Sequence, residues 1–315
     1  MKTFDSLRDF LAELEENGQL LIIREHVAPE PDLGAAGCAA NEIGENAPAL
    51  LFEKVLGFSD ARVALNIHGS WPNHALMLGL DKDTPSKTQF FEFVRRYEAF
   101  PGEVEYMDDA PWQECLFDRR EDINLFEQLP LFRINRNDAG CLIDKAVVIS
   151  REPNRPDDIN RQNVGIYRLQ VKGPSRLGIQ PASAHDLAIH LRQAEEHGED
   201  LKIAIAIGND PIISCVAAMP ILYDQSEYAM AGALRGKAYP VVHSALSGVD
   251  IPWGSEIVLE GYIRGRERET EGPFGEFTGH YSGGRLMPSR RDHADVASTD
   301  PNLRKPVHRH AVDRT

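Results

Sequence analysis

Cysteine is scarce in this chain of 315 residues. Cys38, Cys115, Cys141 and Cys215 lie far apart and form no CxxC pair, which argues against a disulfide framework or a cysteine zinc site. Long apolar runs are missing as well; nothing approaches the ~20 residues that a membrane-spanning helix requires. The opening stretch MKTFDSLRDFLAELEEN carries acids throughout, so it lacks the apolar centre of a signal peptide. Basic charge is in deficit: 34 Lys and Arg stand against 49 Asp and Glu, a formal net charge of −15. Broad electrostatic capture of nucleic acid or of an anionic membrane is disfavoured, because both depend on surplus Lys and Arg. These absences together describe a reduced, cytoplasmic protein.

What is present can build cores. Hydrophobic residues make up 42% and charged residues 26%, at a length suited to about two domains. Phe4, Leu7, Phe10, Leu11 and Leu14 recur at helical spacing over 4–16, and Asn17-Gly18 ends the run. A strand over 20–23, a small-residue helix over 32–43, strands over 49–55 and 61–67, and helices near 73–80 and 86–100 follow. The block 1–115 therefore reads as a mixed α/β domain, with packing or assembly as its simplest role.

From 116 to 288 the pattern turns strand-rich. Strands are expected over 145–151, 164–172, 201–207 and 255–263, with short helices near 185–197 and 226–235. That balance points to a barrel or sandwich decorated by helices, not to a doubly wound sheet. From Ser289 to Thr315 few residues are apolar and no period is visible, so this stretch is expected to be a disordered tail.

Familiar motifs fail. Gly232-Ala-Leu-Arg-Gly236-Lys237 is one residue short of a phosphate loop, and Ala238 stands where its magnesium-binding hydroxyl belongs. There is no GxGxxG, GxSxG or HExxH. His185 and His190 are off-register for one helical face, so a regular helix does not let them chelate one ion.

Polar residues in awkward places remain. Arg168 sits inside the apolar strand VGIYRLQV, Glu227 follows Asp224-Gln-Ser, His185 opens a helix, and Glu271-Gly-Pro-Phe-Gly-Glu276 sets two carboxylates on a stiff loop. Each has an ordinary explanation: an ion-paired strand arginine, a capping box, a solvated histidine, an acidic turn. Together, Asn163, His185 and Glu227 offer an amide oxygen, an imidazole and a carboxylate, a set suited to Mn²⁺ or Mg²⁺ completed by a phosphate. Arg168 with Glu271 and Glu276 fits an acid–base relay that keeps one glutamate protonated. Asn163 and Arg168, five apart, would face opposite ways on a flat strand, so either Asn163 precedes the strand or a bulge intervenes. The residues by themselves point no further than a metal–phosphate cofactor enzyme.

At these positions the sequence resembles the UbiD family of prenylated-FMN-dependent decarboxylases. The matching blocks are Asn163-Val-Gly-Ile-Tyr-Arg168, Ala184-His185, Ser226-Glu227-Tyr228 with Ala231-Gly232, and Glu271-Gly-Pro-Phe-Gly-Glu276 with Thr278-Gly279. YDQSEYAMAGALRG and EGPFGEFTGHYSGGR are most similar to the large subunit of bacterial non-oxidative hydroxyarylic acid decarboxylases, which act on 4-hydroxybenzoate and related phenolic acids. The resemblance implies a split β-barrel that holds prenylated FMN after the N-terminal α/β domain. It implies Asn163, His185 and Glu227 as Mn²⁺ ligands, with K⁺ as a further ion. Asn163, Val164, Gly165, Ile166, Tyr167, Arg168, Ala184, His185 and Glu227 are implied to contact the cofactor. Arg168, Glu271 and Glu276 are implied to be the catalytic set, with Glu276 as proton donor. A flavin prenyltransferase would supply the cofactor, and a small accessory subunit is a candidate partner.

The resemblance runs from residue 1 to about Met287. Family members continue through a C-terminal domain that helps close the site and mediates homo-oligomerisation, and that domain is expected to be missing here. The switch at Ser289 is read as a frameshift or premature end. Two other functions compete with decarboxylation: an inactive remnant that only binds flavin or a partner subunit, and a metal-dependent hydrolase built on Asn163, His185 and Glu227.

Overall fold

The structure, a computed structural model, describes residues 2–117, 119–276 and 278–282, with the backbone of 296–297 and 302–305. Ser6 opens the first helix by accepting the Asp9 amide, and α1 (Leu7–Glu16) buries Phe10, Leu11 and Leu14 along one face. β1 (Leu20–Val27), α2 (Gly34–Ile43) and β2 (Ala49–Val55) form a parallel strand–helix–strand unit, to which β3 (Val63–Leu65) adds antiparallel. α3 (Trp71–Met77) and α4 (Ser86–Tyr97) complete this mixed α/β segment.

Short strands then dominate. β4 (Val104–Tyr106), β5 (Cys115–Phe117) and α5 (Leu125–Gln128) lead to β6 (Leu142–Ile143), β7 (Val147–Arg151), β8 (Gln162–Ile166), β9 (Leu169–Gly173) and β10 (Arg176–Ile179). α6 (Asp186–His197), β11 (Leu201–Ile207), α7 (Pro211–Val216) and α8 (Glu227–Arg235) follow. The chain continues through β12 (Tyr239–His243), β13 (Asp250–Pro252), β14 (Ile257–Ile263), β15 (Phe274–Gly275), β16 (Tyr281–Ser282), β17 (Val296–Ala297) and β18 (Asn302–Lys305).

The largest sheet is antiparallel, with strand order β5-β18-β14-β11-β7-β8. Period-two alternation sends its side chains to two different cores. Val147, Ile149, Ala204, Ala206 and Val258 join α1, α7 and α8 on one face. Val148, Ile203, Ile205 and Leu259 meet α6, β9 and β10 on the other. This sheet is therefore an internal wall. The other strands form the sheets β1-β2-β3, β17-β10-β9-β6 and β13-β12-β4 and the hairpin β15-β16, and no barrel closes among the described residues.

Two departures from the sequence expectations matter for the site. The expected strand over 164–172 is broken: β8 ends at Ile166 opposite Val147, and β9 begins at Leu169 opposite Ile143 in another sheet. Tyr167 and Arg168 are the crossing, which removes the facing conflict between Asn163 and Arg168. The expected structureless stretch from Ser289 includes β17 and β18, which fill edges beside β10 and between β14 and β5; its other residues lie outside those described. The rejected phosphate loop is helix from Gly232 to Arg235, and Gly236 ends that helix in a left-handed conformation. Gly232 is there for close approach, since a Cβ would come within 2.4 Å of the Glu103 carbonyl oxygen. The four cysteines are free, and no helix among the described residues is long and apolar enough to cross a membrane.

α6 is anchored to the wall through His190, which is 1% exposed and bonds the Ser150 hydroxyl at 2.9 Å through Nδ1. Burial pushes its pKa down from 6.5 to about 4, so in mild acid the unfolded chain takes up this proton first. The stability contributed by neutral His190 is complete above pH 6.5 and is lost as pH falls toward 4, at up to about 1.4 kcal/mol per unit. Denaturant unfolding of wild type and His190→Gln across this range should show the shallower pH dependence in the variant.

Candidate active site

The sheet crossing places Arg168 under a hairpin built to meet it. β15 and β16 bring Glu271 and Glu276 back over β9, and the 135–139 loop holds the hairpin from outside. Asp138 accepts the Gly275 amide at 2.8 Å, and the Ala139 amide donates to the Pro273 carbonyl at 2.8 Å. A Cβ on Gly275 would come within 2.3 Å of the Asn135 side-chain Nδ2, so a larger residue there would displace the Asn135 side chain.

Arg168 donates Nε–H to Glu271 at 2.8 Å and Nη2–H to its second oxygen at 2.7 Å, a two-pronged pair. Nη1 reaches Glu276 at 2.7 Å, and Nη2 also reaches Gln180. Four of the five guanidinium N–H groups are thus engaged, and the plane lies 5.0 Å from the Phe274 ring centroid. The two glutamates differ in setting: the Glu271 side chain is 2% exposed and that of Glu276 37%. Hydrogen bonding and the charge of Glu271 and Glu276 outweigh burial and hold the Arg168 pKa above its ordinary value. Gln180 carried no sequence signal, because it belongs to no polar motif, and Phe274 lay within the Glu271–Glu276 motif but was not singled out.

Next to Arg168, Tyr167 turns inward and links the second group. Its hydroxyl donates to Asn163 Oδ1 at 3.4 Å, and its ring meets His185 edge-on at 5.6 Å between centroids. Gly165 makes room, since a Cβ there would press on the Tyr167 ring at 2.7 Å. His185 is the N-cap residue of α6, exposed beside exposed Ala184, and its Nδ1 accepts the Ala182 amide at 3.2 Å. Glu227 opens α8, but the capping-box reading does not hold. Ser226 caps the helix by accepting the Ala229 amide, which leaves the Glu227 carboxylate for the edge of β8. Burial pushes that carboxyl up to about 8, opposed by backbone N–H groups including that of Val164. Val164 and Gly165 are buried and Ile166 is half-buried along this edge.

Two buried atoms here lack partners: Glu227 Oε2 and Asn163 Nδ2. A cation would satisfy the carboxylate oxygen, and an amide turned about its axis presents oxygen in place of Nδ2. The donor set therefore fits a hard or borderline divalent ion. Among the described residues no group of three His, Cys, Asp or Glu side chains is placed to hold one, so such an ion needs the Asn163 amide and an outside ligand such as a phosphate oxygen. His185 would bind through Nε2 only after moving its proton to Nδ1 and releasing the Ala182 amide. A cavity of about 830 Å³ lies elsewhere, along the 57–69 loop and 142–146; no residue of either group lines it.

The unequal exposure of the two glutamates has a measurable consequence. Glu271→Gln breaks a buried pair and should cost about 3 kcal/mol, whereas Glu276→Gln should cost under about 1 kcal/mol. Urea unfolding of both variants checks this, and equal losses would contradict the assigned geometry.

Known proteins share this arrangement of segments. A family model described as the 3-octaprenyl-4-hydroxybenzoate carboxy-lyase Rift-related domain matches residues 105–291, and the N-terminal domain model of the same carboxy-lyase matches 11–92. The chain is 59% identical over 285 residues to a phenolic acid decarboxylase of Bacillus subtilis, covering 90% of this chain and 60% of that protein. It is 50% identical over 290 residues to the phenolic acid decarboxylase of Sedimentibacter hydroxybenzoicus, covering 91% and 60%. The closed form of S. hydroxybenzoicus vanillic acid decarboxylase superimposes with a TM-score of 0.87 at 46% identity, covering 97% of this chain and 62% of that one. The UbiD-class enzyme HmfF of Pelotomaculum thermopropionicum, in complex with prenylated FMN, gives 0.83 at 30% identity, covering 96% and 66%. The chain thus spans about 60% of the length of the curated relatives it matches. With both domain models matched in order and more than half its residues identical to those of the B. subtilis relative over the aligned stretch, the chain belongs to the UbiD family.

Proposed function

We propose that this site removes the carboxylate of a hydroxyarylic acid, 4-hydroxybenzoate or a related phenolic acid, as CO₂ and leaves the phenol. The observation that carries this reading is the Arg168 guanidinium shared between buried Glu271 and half-exposed Glu276. Relatives named as phenolic and vanillic acid decarboxylases support the substrate class. HmfF in complex with prenylated FMN supports the cofactor. Residues 163–168, Ala184, His185 and Glu227 would hold that cofactor, with Mn²⁺ between Asn163, His185, Glu227 and its phosphate and K⁺ as a further ion. The open sheets flanking the crossing would serve as a split barrel around it. When bound, the flavin supplies an electron sink for the pair left on the ring carbon as CO₂ departs.

The protein's part is positioning and proton delivery. Glu271 holds Arg168 in place through two bonds, so the free N–H and the Nη1–H pointing at Glu276 are the ones open to exchange. A substrate carboxylate competes with Glu276 for Nη1. Glu276, once displaced, is free to take up a proton and place it on the ring carbon. The balance closes: the aryl–carboxylate bond breaks, a C–H bond forms, and the proton comes from the carboxyl. A flavin prenyltransferase would supply the cofactor, and a small accessory subunit is the proposed partner.

Protein from cells co-expressing a flavin prenyltransferase should release CO₂ from 4-hydroxybenzoate at least about tenfold faster than from cinnamate, a margin worth about 1.4 kcal/mol. Glu276→Gln should retain flavin and lose turnover, together with deuterium exchange at the ring carbon. Near wild-type exchange in that variant, or equal use of cinnamate, would refute the reading.

A further inference from the structure

Asp250, on β13, is 1% exposed yet takes part in six polar contacts that tie four strands and a helix together. Its Oδ2 accepts from Gln162 Nε2 at 2.6 Å, Arg151 Nη2 at 3.1 Å and the Tyr106 hydroxyl at 3.1 Å. Oδ1 accepts from His243 Nδ1 at 2.7 Å. Its backbone amide donates to Gln162 Oε1 at 2.7 Å, and its carbonyl accepts from the Tyr228 hydroxyl. The reaction described above uses none of these groups.

Two of those contacts lie one residue from the candidate metal ligands. Gln162 precedes Asn163 on β8, and Tyr228 follows Glu227 on α8. Neighbours on a strand face opposite ways, so while Asn163 faces Tyr167, Gln162 faces Asp250 and is clasped by both its side chain and its backbone. Among the described residues β8 is the edge of its sheet and pairs with β7 alone. Its outward amide at Ile166 goes to the Ala217 carbonyl at 3.1 Å, and that of Val164 faces the Glu227 carboxyl. Tyr228, stacked on Tyr239 at 5.7 Å, fixes the start of α8 to the same Asp250.

We infer that Asp250 is a positioning residue that sets the spacing between Asn163 and Glu227 by pinning the residue beside each. It acts through Gln162 and Tyr228; its own carboxylate is committed to Arg151, Tyr106, Gln162 and His243 and is not a ligand. Metal ligands must hold their distances within a few tenths of an ångström, so a slip of β8 against α8 weakens binding without removing any ligand. The inference rests on the reading of Asn163 and Glu227 as ion ligands.

The test is reciprocal. Gln162→Glu sets a carboxylate against Asp250, whereas Gln162→Glu combined with Asp250→Asn restores a donor–acceptor pair with the roles exchanged. Mn²⁺ is titrated into the metal-stripped chain in the presence of FMN, with free Mn²⁺ read by its EPR signal and Tm followed in parallel. Gln162→Glu should weaken Mn²⁺ about 10- to 100-fold, as loss of an outer partner of a ligand does, and the double variant should recover to within about threefold of wild type. Tyr228→Phe should weaken Mn²⁺ while Glu227 remains in place. A lower Tm in Gln162→Glu with Mn²⁺ affinity unchanged, or no recovery in a folded double variant, would overturn the inference alone. Wild-type protein that binds no Mn²⁺ would overturn both the ligand reading and the inference.

Discussion

Two residues that belong to no sheet govern the candidate site. Where the chain leaves β8 and has not yet joined β9, Tyr167 and Arg168 are freed from strand alternation and turn to opposite tasks. Tyr167 goes inward to Asn163 and His185, and Arg168 meets the hairpin carboxylates. A continuous strand would place neighbouring side chains on opposite faces at fixed spacing. The break lets the group around Asn163 and His185 and the group around Glu271 and Glu276 stand side by side.

Charge is then arranged by burial. Glu271 is nearly closed off and held by both of its oxygens, whereas Glu276 is more than a third exposed and held by one. A buried two-pronged pair is hard to break without stranding a charge, while a single exposed contact is readily exchanged. One glutamate therefore fixes the arginine and the other can leave it. Glu227 is the opposite case, a buried carboxylate with one oxygen unpartnered.

Much of this was legible in the chain. The helical spacing of Phe10, Leu11 and Leu14 and the apolar strand Leu201–Ile207 are strong periodic signals, and both elements form where expected. The polar outliers Arg168, Glu271 and Glu276 stand out against apolar or glycine-rich surroundings, and the fold brings them together. The crossing at Tyr167 was not legible, because VGIYRLQV reads as one uninterrupted strand and only the partner strands reveal the break. α7 was missed because Pro-Ile-Ile-Ser-Cys-Val is apolar on every side, and its start depends on Asp210 accepting the Ile212 and Ile213 amides. Gln180 and Asp250 gave no signal, since their partners lie 12 and 88 residues away.

The outer edge of β8 has a consequence beyond the site. An unpaired strand edge offers a row of amides and carbonyls to any other strand, and proteins guard such edges against intermolecular sheet growth. Here the guard is a helix-end carbonyl with a carboxyl beside it: Ala217 takes the Ile166 amide, and Glu227 faces that of Val164. The contacts that seat β8 against α7 and α8 also withhold this edge from aggregation, so a lesion that loosened β8 would expose a template for misassembly in the same event.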